Sequence, residues 1–137
     1  MTPQNLKQNV LADRELARFL SLAVESGDFD RFKMPACEID ARWHALLEDS
    51  ATYDAFCVEH TGIRLDHVKR GGYCRLDWVD TYHGRYGALP RNWFDTDAAY
   101  AEYQRTGEVF ASWDCQPLKT TKKPGQKDKP GSSTSVH

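Results

Sequence analysis

A chain of 137 residues is long enough for one domain with a modest hydrophobic core. Its 40% hydrophobic and 28% charged residues are typical of a globular protein, and the formal net charge of -2 excludes a strong overall attraction to nucleic acid. The sequence has no apolar run of membrane-spanning length and no signal-peptide pattern at its start, so we expect a cytoplasmic protein without a membrane partner.

The first two predicted helices are recognised by apolar side chains at helical spacing. The first runs from about Pro3 or Asn5 to Glu25, and Gly27 follows as a stop signal. Pro35 predicts the first turn of the second helix, where a missing backbone N–H has no cost. The buried stripe of this second helix is formed by four apolar residues: Ile39, Trp43, Leu46 and Leu47.

A third helix is predicted from Ser50, which is a suitable N-cap, to the residues before Gly62, which is a suitable C-terminal stop. The short link between the second and third helices predicts an antiparallel hairpin. The following segment 64–73 contains Gly71 and Gly72 and is predicted to be a loop.

Two more helices are predicted in the second half, one from Leu76 to Tyr86 and one from Asp95 or Thr96 to about Arg105. A short apolar run then packs back on the body of the protein, through Val109, Phe110 and Trp113. The sequence therefore predicts an all-α fold, a single small domain of four to five helices around one core.

The C-terminus differs sharply in composition from the rest of the chain. From residue 119 onward it holds five lysines and one acidic residue, which leaves 13 basic and 19 acidic residues before it. A segment of lysine, proline, glycine, serine and threonine buries too little surface to offset its ordering entropy. We therefore expect a helical domain at 1–118 and a disordered basic tail at 119–137.

The central motifs resemble a known family. The pattern Asp40-x-x-Trp43-His44, followed by Tyr53, Cys57, Gly62 and His67 in register, is similar to the helical domain of the plant glycine-rich-domain proteins and their bacterial relatives, the glycine-rich-domain-containing protein-like family. A later segment, Tyr82 to Phe94, also resembles the bacterial members. The resemblance covers roughly half of the chain. It implies a helical fold without a settled activity. RNA-related roles of the plant members depend partly on glycine-rich segments, which this chain of 9 glycines lacks.

Asp40 and His44 are the strongest candidates for chemistry. They lie four residues apart, on the flank of the second helix's buried stripe, and can chelate one ion from one helix face. His67 is a candidate third ligand, and Cys57 or His60 a candidate fourth. Three ligands with an open position would suit a divalent metal such as zinc in a metal-dependent enzyme. In the competing interpretation, Asp40 orients a structural histidine that fixes a helix–loop junction.

The sequence leaves three functions open. The first is a non-enzymatic accessory or interaction domain with a protein partner, and the second is the metal-dependent enzyme with its site at Asp40, His44 and His67. The third is a weak single-stranded nucleic-acid binder that uses the basic tail and the interleaved aromatic and basic residues of the second half. The four cysteines form no C-x-x-C pair, which predicts reduced thiols and argues against a four-cysteine zinc module.

Overall fold

A computed structural model describes residues 3–120, with side chains from Leu6 onward. Within this range the chain forms five α-helices and three β-strands. In chain order they are α1 (Pro3–Ser26), β1 (Met34–Pro35), α2 (Glu38–Leu47), α3 (Ser50–Thr61), β2 (Leu65–Arg75), α4 (Trp78–Tyr86), α5 (Asp97–Thr106) and β3 (Phe110–Lys119).

The sheet contradicts the all-α prediction. The three strands are antiparallel in the order β1-β3-β2, with Leu65 opposite Lys119 and Arg75 opposite Phe110. The sequence patterns did not predict this sheet, because each strand pairs with a distant part of the chain. In addition, β2 contains only one β-branched residue, Val68, and carries two glycines, so its local pattern indicated a loop. The fold is therefore mixed α/β.

The helix ends follow the predicted signals more closely than the strands do. α1 has nearly the predicted bounds, and Gly62 ends α3 with a left-handed φ of 85°, which favours glycine. α2 begins three residues later than predicted, because Pro35 belongs to β1. α3 is capped by Asp49 rather than Ser50, since the Asp49 carboxylate accepts a hydrogen bond from the Thr52 amide.

The core lies between α1, the hairpin of α2 and α3, and the sheet. Phe19 of α1 makes edge-on contacts with Trp43 of α2 and Trp78 of α4. Glu15 is a fully buried carboxylate in this core and accepts hydrogen bonds from Tyr82 and Trp93. α1 thus forms the central element against which the flanking helices are positioned.

The predicted boundary between domain and tail falls at the end of β3. Lys119 still pairs with Leu65, and the Thr120 hydroxyl donates a hydrogen bond to Asp66. The rest of the predicted tail, residues 121–137, lies outside the described residues. None of the described helices has both the length and the apolar character needed to cross a bilayer.

Candidate metal centre

Asp40 and His44 lie one turn apart on α2, at the border between core and solvent. Ile39 and Trp43 are fully buried beside them, which fixes the rotation of the helix about its axis. Asp40 is consequently buried, at 8% exposure, whereas the His44 side chain is 45% exposed. The sequence placed both residues on the flank of the buried stripe, and this is where they lie.

His67 belongs to β2 rather than to a loop. Its position on the strand brings its ring against Trp43, with the ring centroids 4.7 Å apart, and against His44, also at 4.7 Å. Both contacts are edge-on. The packing of β2 against α2 therefore brings the two imidazoles together across a separation of 23 residues in the sequence.

A β-bulge in β3 adds two groups that the sequence analysis did not select, Asp114 and Cys115. β1 pairs Met34 with Cys115 and Pro35 with Trp113, so Asp114 is an extra residue without a partner on β1. A bulge breaks the strict alternation of side chains and can turn neighbouring residues toward one face. Asp114 and Cys115 accordingly both lie close to Asp40.

Two overlapping groups of metal-ligating atoms result. One donor atom each of His44, His67 and Cys115 lies within 4.8 Å of the others, and the same holds for Asp40, Asp114 and Cys115. Cys115 is common to both groups. Zinc bonds of about 2.0–2.3 Å place tetrahedral ligand atoms about 3.5 Å apart, so an ion would be enclosed after side-chain shifts of about 1 Å.

The hydrogen bonds of His44 leave one of its nitrogens available to a metal. Nδ1 lies 2.9 Å from the Asp40 backbone carbonyl oxygen and 3.4 Å from its carboxylate. A carbonyl oxygen can only accept, so this bond places the proton on Nδ1 and leaves the lone pair on Nε2. Metal-binding histidines commonly donate their second nitrogen in this way.

His67 has a buried nitrogen without a partner. Within residues 3–120, its Nε2 is inaccessible to solvent and makes no hydrogen bond. Burial, together with the neighbouring His44, lowers the pKa of His67 to about 4, so the ring is neutral at physiological pH. A buried imidazole nitrogen without a partner costs stability, and in the tautomer with the proton on Nδ1 the Nε2 lone pair is open to a proton donor or a metal.

The acidic groups of the cluster, Asp40, Asp114 and Cys115, repel one another when they are negatively charged. The Cys115 thiol donates a hydrogen bond to Asp40 Oδ1 at 3.2 Å. Burial and nearby Asp114 raise the pKa of Asp40, while burial and the Asp40 carboxylate raise the pKa of the Cys115 thiol. A divalent cation would relieve this repulsion and favour the thiolate.

The two candidate fourth ligands lie elsewhere. Cys57 is fully buried in the core, where burial raises the pKa of its thiol. The His60 ring packs on Phe56, with its Nε2 3.4 Å from Glu59. Neither belongs to the groups of converging ligand atoms found among the described residues.

The aromatic and basic residues of the second half are largely engaged in the fold. Trp78 and Tyr82 are fully buried, and Trp93 is 3% exposed. Arg75 pairs with acidic side chains, as does Arg85. These contacts occupy several members of the set, whereas Tyr73 on β2 is 70% exposed and Lys69 and Arg70 are exposed near it.

No protein-family model matches the chain, and no curated protein or solved structure matches it significantly. The resemblance to the glycine-rich-domain proteins therefore stays a prediction.

Proposed function

We propose that this protein is a metal-binding accessory domain, with a divalent transition metal held by His44, His67 and Cys115. The observation that carries the proposal is the buried Nε2 of His67, which lacks a hydrogen-bond partner and belongs to a side chain that shares a cluster with an imidazole and a thiol. A set of two histidines and one cysteine favours zinc, because imidazole and thiolate are both common zinc ligands.

A carboxylate is the natural fourth ligand. Asp40 lies beside both His44 and Cys115, and Asp114 is the more exposed alternative on the bulge. Four protein ligands would close the coordination sphere, which is typical of a structural zinc site. We therefore favour the accessory domain over the metal-dependent enzyme, which would need water at the fourth position.

Metal analysis of untagged protein tests the proposal directly. We expect about one equivalent of zinc per chain, and a sulfur-to-metal charge-transfer band when cobalt replaces zinc. Cys115→Ser removes the band, whereas the matched variant Cys74→Ser retains it. A metal content below about 0.1 equivalent after incubation with zinc and gel filtration would exclude a tight site of this kind.

The fourth ligand can be assigned with two conservative variants. Asp40→Asn and Asp114→Asn each remove one negative charge and keep the size of the side chain. The variant that lacks the true ligand should bind zinc about 10- to 100-fold more weakly, and the other should change affinity less. If neither variant weakens binding, the fourth position is held by water and the enzyme hypothesis gains support.

Three further expectations accompany this proposal. Asp40, His44 and His67 all lie in the motif that resembles the glycine-rich-domain family, so we propose that proteins of that family carry metal-binding residues at the corresponding positions. A ligating thiolate requires reducing conditions, and the described cysteines form no disulfide, which supports a cytoplasmic location. A protein partner is the natural counterpart of an accessory domain, and fractionation with crosslinking tests both expectations.

A further inference from the structure

A cleft of about 510 Å³ opens between the sheet and α5, away from the proposed metal ligands. One wall is the start of β3, from Phe110 to Ser112, a stretch that does not pair with β1. The opposite wall is α5, and the floor includes Trp93 and Phe94. The volume falls in the range of small-molecule sites.

Two exposed aromatic rings stand at this cleft. Tyr73 of β2 is 70% exposed and Phe110 of β3 is 56% exposed. Tyr73 pairs with Ser112, so the Phe110 side chain lies diagonally across the ladder on the same face of the sheet. Beneath them, Phe94 and Tyr103 stack with ring centroids 5.0 Å apart. The cleft thus presents several aromatic surfaces to whatever enters it.

The charged residues lining the cleft are all acidic. Asp95, Glu102 and Glu108 contribute to its wall, and of the described residues no lysine, arginine or histidine lines it. Glu102 is neutralised in part by Arg105, and Glu108 by Arg75 at 3.5 Å. Asp95 makes no ion pair within residues 3–120 and therefore contributes its charge most fully.

We propose that this cleft binds a small organic cation with an apolar body, of the arylalkyl ammonium class. The apolar body fills the space over Phe94 and Tyr103, and the ammonium group lies against Asp95 and the faces of the rim aromatics. Aromatic faces attract cations, and carboxylates around the same space add to that attraction. The same carboxylates repel an anionic ligand. The ligand is independent of the proposed metal, because no residue of either metal-ligand group lines the cleft.

A titration with three ligands of matched shape tests the charge requirement. Phenethylammonium, neutral phenethyl alcohol and anionic phenylacetate are added to the whole protein, and amide chemical shifts are followed by NMR. We expect shifts concentrated at α5 and the start of β3, with the ammonium binding about tenfold more tightly than the alcohol. Equal affinity for the ammonium and the alcohol, or no cleft shifts at about 10 mM ammonium, overturns the proposal.

Variants locate the contact. Asp95→Asn should weaken ammonium binding about three- to tenfold and leave binding of the alcohol unchanged. Phe110→Ala should weaken the binding of both ligands, because it removes apolar surface as well as an aromatic face. Both positions are exposed, so the fold should persist. Glu59→Gln, an exposed charge change on α3, is the matched control and should alter nothing. If this control weakens ammonium binding as much as Asp95→Asn does, the attraction is nonspecific and the cleft site is refuted.

Discussion

His67→Phe provides the sharpest test of the reasoning about the metal centre, because it predicts a reversal of stability order. The variant keeps an aromatic ring against Trp43 but removes the buried Nε2 that lacks a hydrogen-bond partner. A buried, unsatisfied polar atom costs about 1–3 kcal/mol. Part of the gain is offset because the six-membered ring must fit a site packed around a smaller one. In the presence of a chelator we therefore expect the variant to be more stable than the natural protein by about 1 kcal/mol.

Zinc should reverse this order. At a free zinc concentration of about 100 times the dissociation constant, the natural protein gains about 2.7 kcal/mol, and the variant, which lacks a ligand, gains nothing. The natural protein then exceeds the variant by nearly 2 kcal/mol. Urea unfolding with chelator and with zinc measures both differences, and thermal unfolding should show shifts of about 3–6 °C per kcal/mol.

The matched control is His60→Phe, which changes a partly exposed histidine outside the cluster. It should alter stability by less than about 0.5 kcal/mol and retain the full effect of zinc. Two outcomes would contradict a metal-binding role for His67. One is a loss of 1 kcal/mol or more for His67→Phe in chelator, because His67 would then have a structural role. The other is equal stabilisation of the natural protein and of His67→Phe by zinc.

The remaining predictions concern pH and the buried hydrogen bonds. In chelator, stability should fall as the pH drops from about 6.5 to about 4, because the unfolded chain protonates His67 at an ordinary pKa of 6.5 while burial and His44 hold its folded pKa at about 4. The raised pKa of Asp40 acts in the opposite sense, since its contribution to stability is lost as the pH rises. The quantity to compare is therefore the stability of the natural protein relative to His67→Phe, which should fall as the pH drops from about 6.5 to about 4. Glu15→Ala should cost about 3–5 kcal/mol in urea unfolding, because it leaves buried hydrogen-bond donors unpaired beside a charged arginine; a cost below 1 kcal/mol would mean that water replaces the carboxylate. Tyr53→Phe should cost about 1–3 kcal/mol, because its hydroxyl links the Trp43 indole N–H to a strand carbonyl, and an unchanged midpoint of unfolding would contradict that role.

The sequence predicted the helical part of the fold because helix signals are local. Gly62 ends α3 as expected, and Gly107 ends α5 in the same way, with left-handed φ values of 85° and 77° that disfavour other residues. The second helix shows the limit of such signals. Pro35 suits a helix start equally well, but its pairing with Trp113 in the sheet decides otherwise. Local preference was overruled there by a contact with a residue far along the chain.

The residues of the candidate site also differ in whether local sequence patterns could identify them. Asp40 and His44 were found from their spacing, because four residues on a helix give one face. His67 was selected through its motif, although its strand was not predicted. Asp114 and Cys115 carried no signal in the sequence, because their approach to Asp40 depends on one unpaired residue in β3. The lack of any C-x-x-C pattern also left Cys115 without a recognisable ligand motif.

Sequence patterns alone indicated the helices, the basic composition of the C-terminal segment and a carboxylate–imidazole pair at the edge of the core, but not the mixed α/β fold. These properties follow from composition and from periodicity over a few turns of helix, which act within short stretches of chain. Long-range contacts add the sheet that completes the fold, the bulge that places a thiol near the two imidazoles, and the acidic aromatic cleft at the start of β3. Each of these features depends on strand pairing between distant segments. The register of that pairing is set by the packing of the whole domain rather than by any one segment.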